Sequence, residues 1–270
     1  MDQYRVFGNP IKHSRSPYIH QAFAKETAQE LTYQTQLVEL DAFEQDIKAF
    51  AQSGGKGGNV TVPFKEQALA LCDQVSKRAA LAGAVNTLSF RDGKILGDNT
   101  DGIGLVKDLL DNQVTLSGSR ILLVGAGGAA KGVVLPLLEQ EPQQLVIANR
   151  TLSKAEQICQ QVSDNRLSCC TFEQTTDYDF DVIINATSAS LDGRLPAIPE
   201  AVIAGAGVCY DMVYGKELTP FLVWAKAAGA EKVIDGLGML VAQAAESFNI
   251  WRGVMPSTDE ILCQLRADLT

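Results

Sequence analysis

The 270-residue sequence predicts an α/β protein of two units, each an alternation of strands and helices. Three observations carry this. Strand-like and helix-like periodicity alternate along most of the chain, with a change of character near residue 100. A glycine-rich turn, Gly125-Ala126-Gly127-Gly128-Ala129-Ala130, sits between a buried strand and an apolar helix. The length also exceeds what one hydrophobic core usually fills.

In the first unit, Tyr4 to Gly8 reads as a short strand running into the Asn9-Pro10 turn. Ser16-Pro17 opens a helix, with serine as N-cap and proline at the first helical position. Leu31 to Leu40 alternates like a strand, and Ala42 to Gln52 has helical periodicity. The run Gly54-Gly-Lys-Gly-Gly58 is a flexible break, Gly58 to Val62 a strand, and Pro63-Phe64-Lys65 the start of a helix with Lys65 in its first turn. Such βα units imply a largely parallel sheet. In the second unit Arg120–Val124, Leu145–Ala148, Asp181–Ile184, Val208–Asp211 and Lys232–Asp235 read as strands. Helices are predicted from the glycine-rich turn to about Leu138, over Ser153–Val162, and from Gly238 to about Arg252.

Composition narrows the function classes. With 46% hydrophobic and 20% charged residues the chain is an ordinary globular protein rather than a disordered one. No stretch reaches the roughly 18 apolar residues of a membrane helix. The start carries Asp2 and lacks the apolar core of a secretion signal, so a cytoplasmic location is expected. Six scattered cysteines without a C-x-x-C pair, and only two histidines, predict neither a metal site nor a disulfide framework. The net charge of −9 disfavours nucleic acid and anionic membranes as partners. An anionic substrate must then be held by local donors.

Gly125, Gly127 and Ala130 fall on the G-x-G-x-x-G/A spacing of a dinucleotide-binding turn. The first glycine permits the tight turn, the second lets a pyrophosphate approach the backbone, and the small third residue allows close helix packing. An NAD site would place Asp or Glu at the end of the next strand, roughly 20 residues on, to bond the ribose 2′-hydroxyl. Here that strand runs into Asn149-Arg150-Thr151, with Lys154 one turn later. No carboxylate repels a 2′-phosphate, Arg150 can grip one with its planar fork, and cations at a helix start oppose the helix dipole unless an anion joins them. The expected cofactor is NADP, bound by a Rossmann-like unit.

The first unit holds a cluster of hydroxyl, amide and ammonium groups: Ser14, Ser16, Asn59, Thr61, Lys65, Asn86 and Asp101. Asn59 and Thr61, two apart on a strand, point to one face. Together these groups suit a small polyhydroxylated carboxylate. Taken singly, each also fits a helix cap, a turn or a surface lysine.

The motifs Asn9-Pro-Ile-Lys-His-Ser-Arg-Ser-Pro17, Gly58-Asn-Val-Thr-Val-Pro-Phe-Lys65, Gly83-Ala-Val-Asn-Thr87, Gly97-Asp-Asn-Thr-Asp-Gly102, Gly125-Ala-Gly-Gly-Ala129 and Asn149-Arg-Thr151 resemble, in order, the shikimate dehydrogenase family. The resemblance continues through Asn185-Ala-Thr-Ser188, Tyr210-Asp-Met-Val-Tyr214 and Asp235-Gly-Leu-Gly-Met-Leu-Val-Ala-Gln-Ala-Ala245, so it spans nearly the whole chain. It implies NADPH-dependent reduction of 3-dehydroshikimate to shikimate, on the route to aromatic amino acids, with Lys65 and Asp101 as the catalytic pair. By the same resemblance, Ser14 and Ser16 hold the substrate carboxylate with Tyr214 nearby, and Asn59, Thr61, Asn86, Asp101 and Gln243 meet the ring oxygens. Gly125 to Ala130, Asn149, Arg150, Thr151 and Lys154 match cofactor binders, and Thr187, Ser188, Met212, Gly236 and Met239 match residues near the ribose and nicotinamide. The family fold implies a substrate-binding domain of residues 1–101 and 238–270, an NADP-binding domain of 102–237, and a C-terminal helix returning to the first.

In this chemistry the developing alkoxide must receive a proton, and Lys65 is the donor, with Asp101 orienting it. His13 and His20 are expected to be structural, His20 as partly exposed filler. Short connections near Asp101 and Gly238 suggest a cleft that opens and closes. Quinate as substrate stays open, because it differs by ring saturation and one hydroxyl. A non-catalytic NADP sensor is the rival from another class. Both a monomer and a homodimer are compatible with the resemblance.

Overall fold

A computed structural model of the chain, describing residues 1–269, contains two six-stranded sheets. The first comprises β1 (Asp2–Gly8), β2 (Leu31–Leu37), β3 (Gly57–Val60), β4 (Gln74–Val75), β5 (Thr87–Arg91) and β6 (Lys94–Asp98), in the order β2-β1-β3-β5-β6-β4. Between its strands run α1 (Ser16–Glu26), α2 (Phe43–Gln52), α3 (Lys65–Leu71) and α4 (Lys77–Ala82).

This sheet is largely parallel, as expected, with three of its five strand pairings parallel, β4 with β6 among them, and one strand reversed. β1 pairs parallel with β2 and β3, but β5 runs antiparallel to both β3 and β6. The cause is a two-residue hairpin turn, Asp92-Gly93, with φ of 52° and 73°. Asp-Gly adopts that left-handed pair readily, and the resulting twist matches the flanking strands. The glycine run is also more ordered than its composition suggests. Gly57 and Gly58 belong to β3, and side chains there would collide with Trp251 and Phe7, which lie against the strand. At the head of α1, Arg15 rather than Ser16 occupies the cap position, and Ser14 Oγ accepts the Ser16 N–H at 3.3 Å.

The second sheet comprises β7 (Arg120–Val124), β8 (Gln144–Ala148), β9 (Leu167–Cys170), β10 (Val182–Asn185), β11 (Val208–Asp211) and β12 (Lys232–Asp235). It is parallel throughout, in the order β12-β11-β10-β7-β8-β9. That is the doubly wound Rossmann order, and the direction of winding reverses between β7 and β10. α6 (Gly128–Leu138), α7 (Leu152–Val162), α8 (Glu200–Ala204) and α9 (Pro220–Ala227) lie between its strands. Both faces are covered, so alternate residues of β7 serve two cores. Ile121 and Leu123 pack with Val133, Leu137 and Ile147, whereas Leu122 and Val124 pack with Val146, Phe221 and Leu222.

Two helices join the halves. α5 (Asp101–Asp111) follows β6, and α10 (Leu237–Arg252) follows β12. A Cβ on Gly104 of α5 would lie 2.7 Å from the Gln243 Cβ and 2.8 Å from the Met239 carbonyl oxygen of α10. Only glycine allows that approach. α10 and α11 (Asp259–Leu269) then return to the first half, where Val241, Ala245, Phe248, Ile261 and Leu265 pack on Ile19 and Phe23 of α1. His20 is 1% exposed, not partly exposed as expected, and its ring stacks on Tyr33 at 4.2 Å. Among the described residues no helix is long and apolar enough to cross a membrane.

Candidate active site

The C-terminal ends of β1, β3, β11 and β12 meet α10 around a cleft of about 370 Å³. The nine residues expected to act on substrate all line it: Ser14, Ser16, Asn59, Thr61, Lys65, Asn86, Asp101, Tyr214 and Gln243. So do Met212, Gly236 and Met239, expected on the cofactor side. Residues as far apart in sequence as Ser14 and Gln243 thus share one small space because both sheets turn their strand ends toward it.

Lys65 starts α3 and Asp101 starts α5, and Lys65 Nζ donates to Asp101 Oδ2 at 2.7 Å. The side chains are 31% and 18% exposed, so the pair is reachable from the cleft without being fully solvated. Asp101 Oδ1 accepts from Asn86 Nδ2 at 2.8 Å, and its backbone N–H donates to Asn99 Oδ1 at 3.1 Å. The carboxylate is therefore held on both oxygens. Gln243 anchors its amide on the Leu240 carbonyl and offers Oε1 to Asn86 and Thr100, each at 3.4 Å.

Asn59 lines the cleft, yet its amide is already engaged. Its Oδ1 accepts from the Tyr33 phenol at 2.7 Å, and its Nδ2 faces the Asn86 carbonyl, Thr87 Oγ1 and Ser247 Oγ at 3.0–3.3 Å. Thr87 and Thr100 stand in two of the quoted motifs without a role assigned to them, and Tyr33 and Ser247, within a strand and a helix pattern, gave no signal at all. His13 and Arg15 also line the cleft, flanking Ser14. Burial raises the Tyr214 phenol above its ordinary pKa, and the Arg15 charge opposes that rise.

The remaining expected cofactor residues gather at the ends of β7, β8 and β10, beside this cleft and at the reversal of the second sheet. Gly125 has φ of 113°, and a Cβ there would lie 3.1 Å from Thr187 Cγ2. Space in front of Gly127 and Gly128 is open, with nothing within 4 Å of an added Cβ. α6 starts there without a side-chain cap, so its first amides face that space. Ala126 and Ala130 are buried, Ala130 fully, in the α6–sheet core, and Ala129 is exposed beside them. After β8, Asn149 Nδ2 donates to the Thr151 carbonyl at 2.8 Å and shapes the turn. Arg150, Thr151 and Lys154 are exposed, and α7 starts with no side-chain cap and no acidic residue in its first turn. An uncapped helix start carrying a lysine, next to an arginine, suits an anion. The donor set thus fits a dinucleotide with a 2′-phosphate.

Buried Asp211 fixes the loops that carry the inner contacts. It accepts from Asn185 Nδ2, Ser190 Oγ, Thr219 Oγ1 and the Val213 N–H at 2.6–3.2 Å. Asn185 Oδ1 in turn accepts from Thr187 through both its N–H and its hydroxyl, with Ser188 next in the same turn. At the head of α10, Asp235 Oδ1 accepts the Leu237 N–H at 3.2 Å and forks with Arg266 at 2.6 Å. Among the described residues no group of three or more His, Cys, Asp or Glu could hold a metal ion.

A parallel doubly wound sheet with a glycine-rich phosphate turn, facing a polar cleft that holds a lysine–carboxylate pair, defines a dinucleotide-dependent oxidoreductase architecture. Family comparison agrees in each part. Residues 6–88 match the shikimate dehydrogenase substrate binding domain, 105–192 match shikimate / quinate 5-dehydrogenase, and 236–266 match the shikimate 5′-dehydrogenase C-terminal domain. The chain is 60% identical over 268 residues to shikimate dehydrogenase (NADP(+)) of Colwellia psychrerythraea, covering 99% of this chain and 98% of the relative. Among solved structures, it superposes on an Ael1 enzyme from Pseudomonas putida with a TM-score of 0.96 at 46% identity, covering 98% of each chain. The shikimate 5-dehydrogenase of Thermus thermophilus in complex with NADP(H) and shikimate superposes with a TM-score of 0.88 at 31% identity, covering 100% of each chain. The chain belongs to the shikimate dehydrogenase family of oxidoreductases.

Proposed function

We propose that this chain catalyses the reversible, NADP-dependent interconversion of 3-dehydroshikimate and shikimate, with Lys65 and Asp101 doing the acid–base work. The observation that carries the reading is the 2.7 Å Lys65–Asp101 bond inside a cleft that Ser14, Ser16, Thr61, Asn86 and Gln243 also line. The names of the relatives, shikimate dehydrogenase (NADP(+)) among them, support the same substrate and cofactor.

The chain's residues divide the work. Ser14 and Ser16 bind the carboxylate beside Tyr214, while Thr61, Asn86 and Gln243 orient the ring oxygens. Lys65 keeps one N–H on Asp101 and presents the others to the reacting oxygen. It gives that oxygen a proton during reduction and takes it back during oxidation. Asp101 holds the amine in place through the 2.7 Å bond. The nicotinamide cofactor, when bound, supplies or accepts the hydride. Gly125, Ala126, Gly127 and Gly128, with the first turn of α6 containing Ala129 and Ala130, would receive its pyrophosphate. Asn149, Arg150, Thr151 and Lys154 would hold the adenosine phosphate, and Thr187, Ser188, Met212, Gly236 and Met239 the ribose and nicotinamide. This reading divides the chain into a substrate domain of 1–101 and 238–270 and a cofactor domain of 102–237.

The test is an initial-rate assay at the reduced-nicotinamide absorbance band, with shikimate or quinate and NADP or NAD. Fast reduction of NADP by shikimate, and little with the other pairings, is expected. Comparable rates with quinate or NAD would move the chain to a broader-specificity branch. NADPH binding without turnover in any pairing would overturn the enzyme reading.

A further inference from the structure

Behind the lysine–carboxylate pair lies a buried polar network, most of whose members do not line the cleft. Tyr33 in β2, Thr87 in β5 and Ser247 in α10 are each at most 1% exposed. They join Asn59, Asn86 and Thr100, which are also buried. Resting on the dehydrogenase reading above, we infer that Ser247, Thr87 and Tyr33 are positioning residues: they fix the donor–acceptor sense of the Asn86 amide, and through it the seating of Asp101.

Two backbone groups set the sense, because neither can reverse its role. The Thr100 N–H can only donate, and it donates to Asn86 Oδ1 at 2.9 Å. The Asn86 NH₂ must therefore face Asp101 Oδ1 at 2.8 Å and Thr100 Oγ1 at 3.0 Å. The Asn86 carbonyl can only accept, and it faces Asn59 Nδ2 at 3.1 Å. The Asn59 Oδ1 must then take the Tyr33 phenol proton at 2.7 Å.

The hydroxyls between these anchors connect them, and Ser247 Oγ also faces the Gln243 carbonyl at 3.1 Å and Thr100 Oγ1 at 3.2 Å. Thr87 Oγ1 donates to Asn86 Oδ1 at 2.8 Å, which uses its single proton. Toward Ser247 Oγ, at 2.8 Å, it can then only accept, and the single Ser247 proton is shared between Thr87 and the Gln243 carbonyl. Asn59 Nδ2 supplies Ser247 Oγ at 3.0 Å. Donation thus runs one way from Tyr33 through Asn59, Ser247 and Thr87 to Asn86, and Asn86 donates onward to Asp101. A flipped Asn86 would set its NH₂ against the Thr100 N–H and its oxygen against the Asp101 carboxylate. With water excluded, both mismatches are costly. Removing the Ser247 hydroxyl leaves Thr87 Oγ1 without its partner at 2.8 Å, so the bond that Thr87 gives Asn86 Oδ1 is held less firmly, and the amide with it. Asp101 then loses the partner on one oxygen part of the time, and Lys65 loses its fixed direction.

The experiment uses steady-state kinetics of the full chain with shikimate and NADP, comparing wild type, Ser247→Ala, Asn86→Ala and the double variant. Loss of one buried hydrogen bond predicts that Ser247→Ala lowers kcat by roughly 5- to 30-fold. KM for both substrates should stay within about twofold, because the residue touches neither. In the Asn86→Ala background the same change should cost less than about twofold further, since the path runs through Asn86. A raised KM with unchanged kcat, losses that multiply in the double variant, or no loss at all would each overturn the inference. If Ser247→Ala fails a melting check, Tyr33→Phe, which removes one oxygen, takes its place in the same comparison. If the wild type itself fails to turn over, the function reading falls but the network is still measurable. Its side-chain amide signals in ¹H–¹⁵N spectra should then show Asn86 as two well-separated, slowly exchanging protons in wild type and faster exchange in Tyr33→Phe. Equal exchange in both would overturn the network.

Discussion

Replacing Asp101 by asparagine isolates what the carboxylate does without emptying its place. Asp101 accepts two donors, Lys65 Nζ on Oδ2 at 2.7 Å and Asn86 Nδ2 on Oδ1 at 2.8 Å. An asparagine keeps one oxygen and turns an NH₂ toward the other donor. Asn86 cannot flip to accommodate it, because the Thr100 N–H holds its oxygen at 2.9 Å. The new NH₂ then faces either a like donor on Asn86 or the lysine ammonium, and at least one charge-assisted bond is lost. Such a bond is worth about 1.5–3 kcal/mol, or about 10- to 150-fold in rate if it acts in the transition state. Initial rates of NADP reduction by shikimate, with NADP affinity measured separately by titration, give the comparison. We expect Asp101→Asn to lose kcat by about that factor while NADP affinity stays within about twofold. A variant retaining a third or more of wild-type kcat would refute the role given to the carboxylate.

Other expectations concern distinct parts of the molecule. Arg150→Ala should raise the KM for NADP by about 10- to 150-fold, the value of a charge-assisted phosphate contact, and leave the weaker reaction with NAD nearly unchanged in the same assay. Gly236→Ala should cost about 1–3 kcal/mol by denaturant titration and weaken NADP binding, because the new Cβ would lie 2.6 Å from the Met212 carbonyl carbon, a backbone atom with little room to yield. Burial lowers the His20 pKa to about 3, and both its ring nitrogens lack a partner. The unfolded chain therefore binds a proton that the folded chain refuses as pH falls from about 6.5 toward 3, and stability is lost over that window. Between pH 7.5 and 5.5 this amounts to about 1.4 kcal/mol, which His20→Phe should abolish in paired urea titrations.

The legible parts of the sequence were those where chemistry and local pattern coincide. The strand–glycine turn–helix at 120–138 is set by local sterics, so that part of the fold was readable from its residues alone. Lys65, Asn86 and Asp101 were readable because they stand in motifs dense with polar groups. The mixed pairing of the first sheet was not read, although Asp92-Gly93 is a direct hairpin signal, because βα alternation outweighed it. Ser247 sits within a predicted helix, and Thr87 closes the Gly83–Thr87 motif, in which only Asn86 was given a role. Their importance arises only where β5 and α10 meet, 160 positions apart, and no local pattern encodes that meeting. Asn59 shows a further limit: its motif marked it as a ligand, and only the fold reveals that its amide atoms, like those of Asn86, already have protein partners.

The glycine contact between α5 and α10 has a mechanical consequence. With no side chain between Gly104 and the Gln243 backbone, the two connecting helices have no layer on which to slide. They form a spindle, and the sheets on either side are vanes attached to it. Asp101 stands at one end of that spindle, and Lys65 and Asn86, its two partners, belong to the first vane. A rotation of the second vane about this spindle would change how far the ends of β7 and β10 stand from the cleft, while Lys65, Asn86 and Asp101 would keep their spacing. Under the function proposed above, proton transfer would then be set by the part that stays still, and hydride delivery by the part that turns.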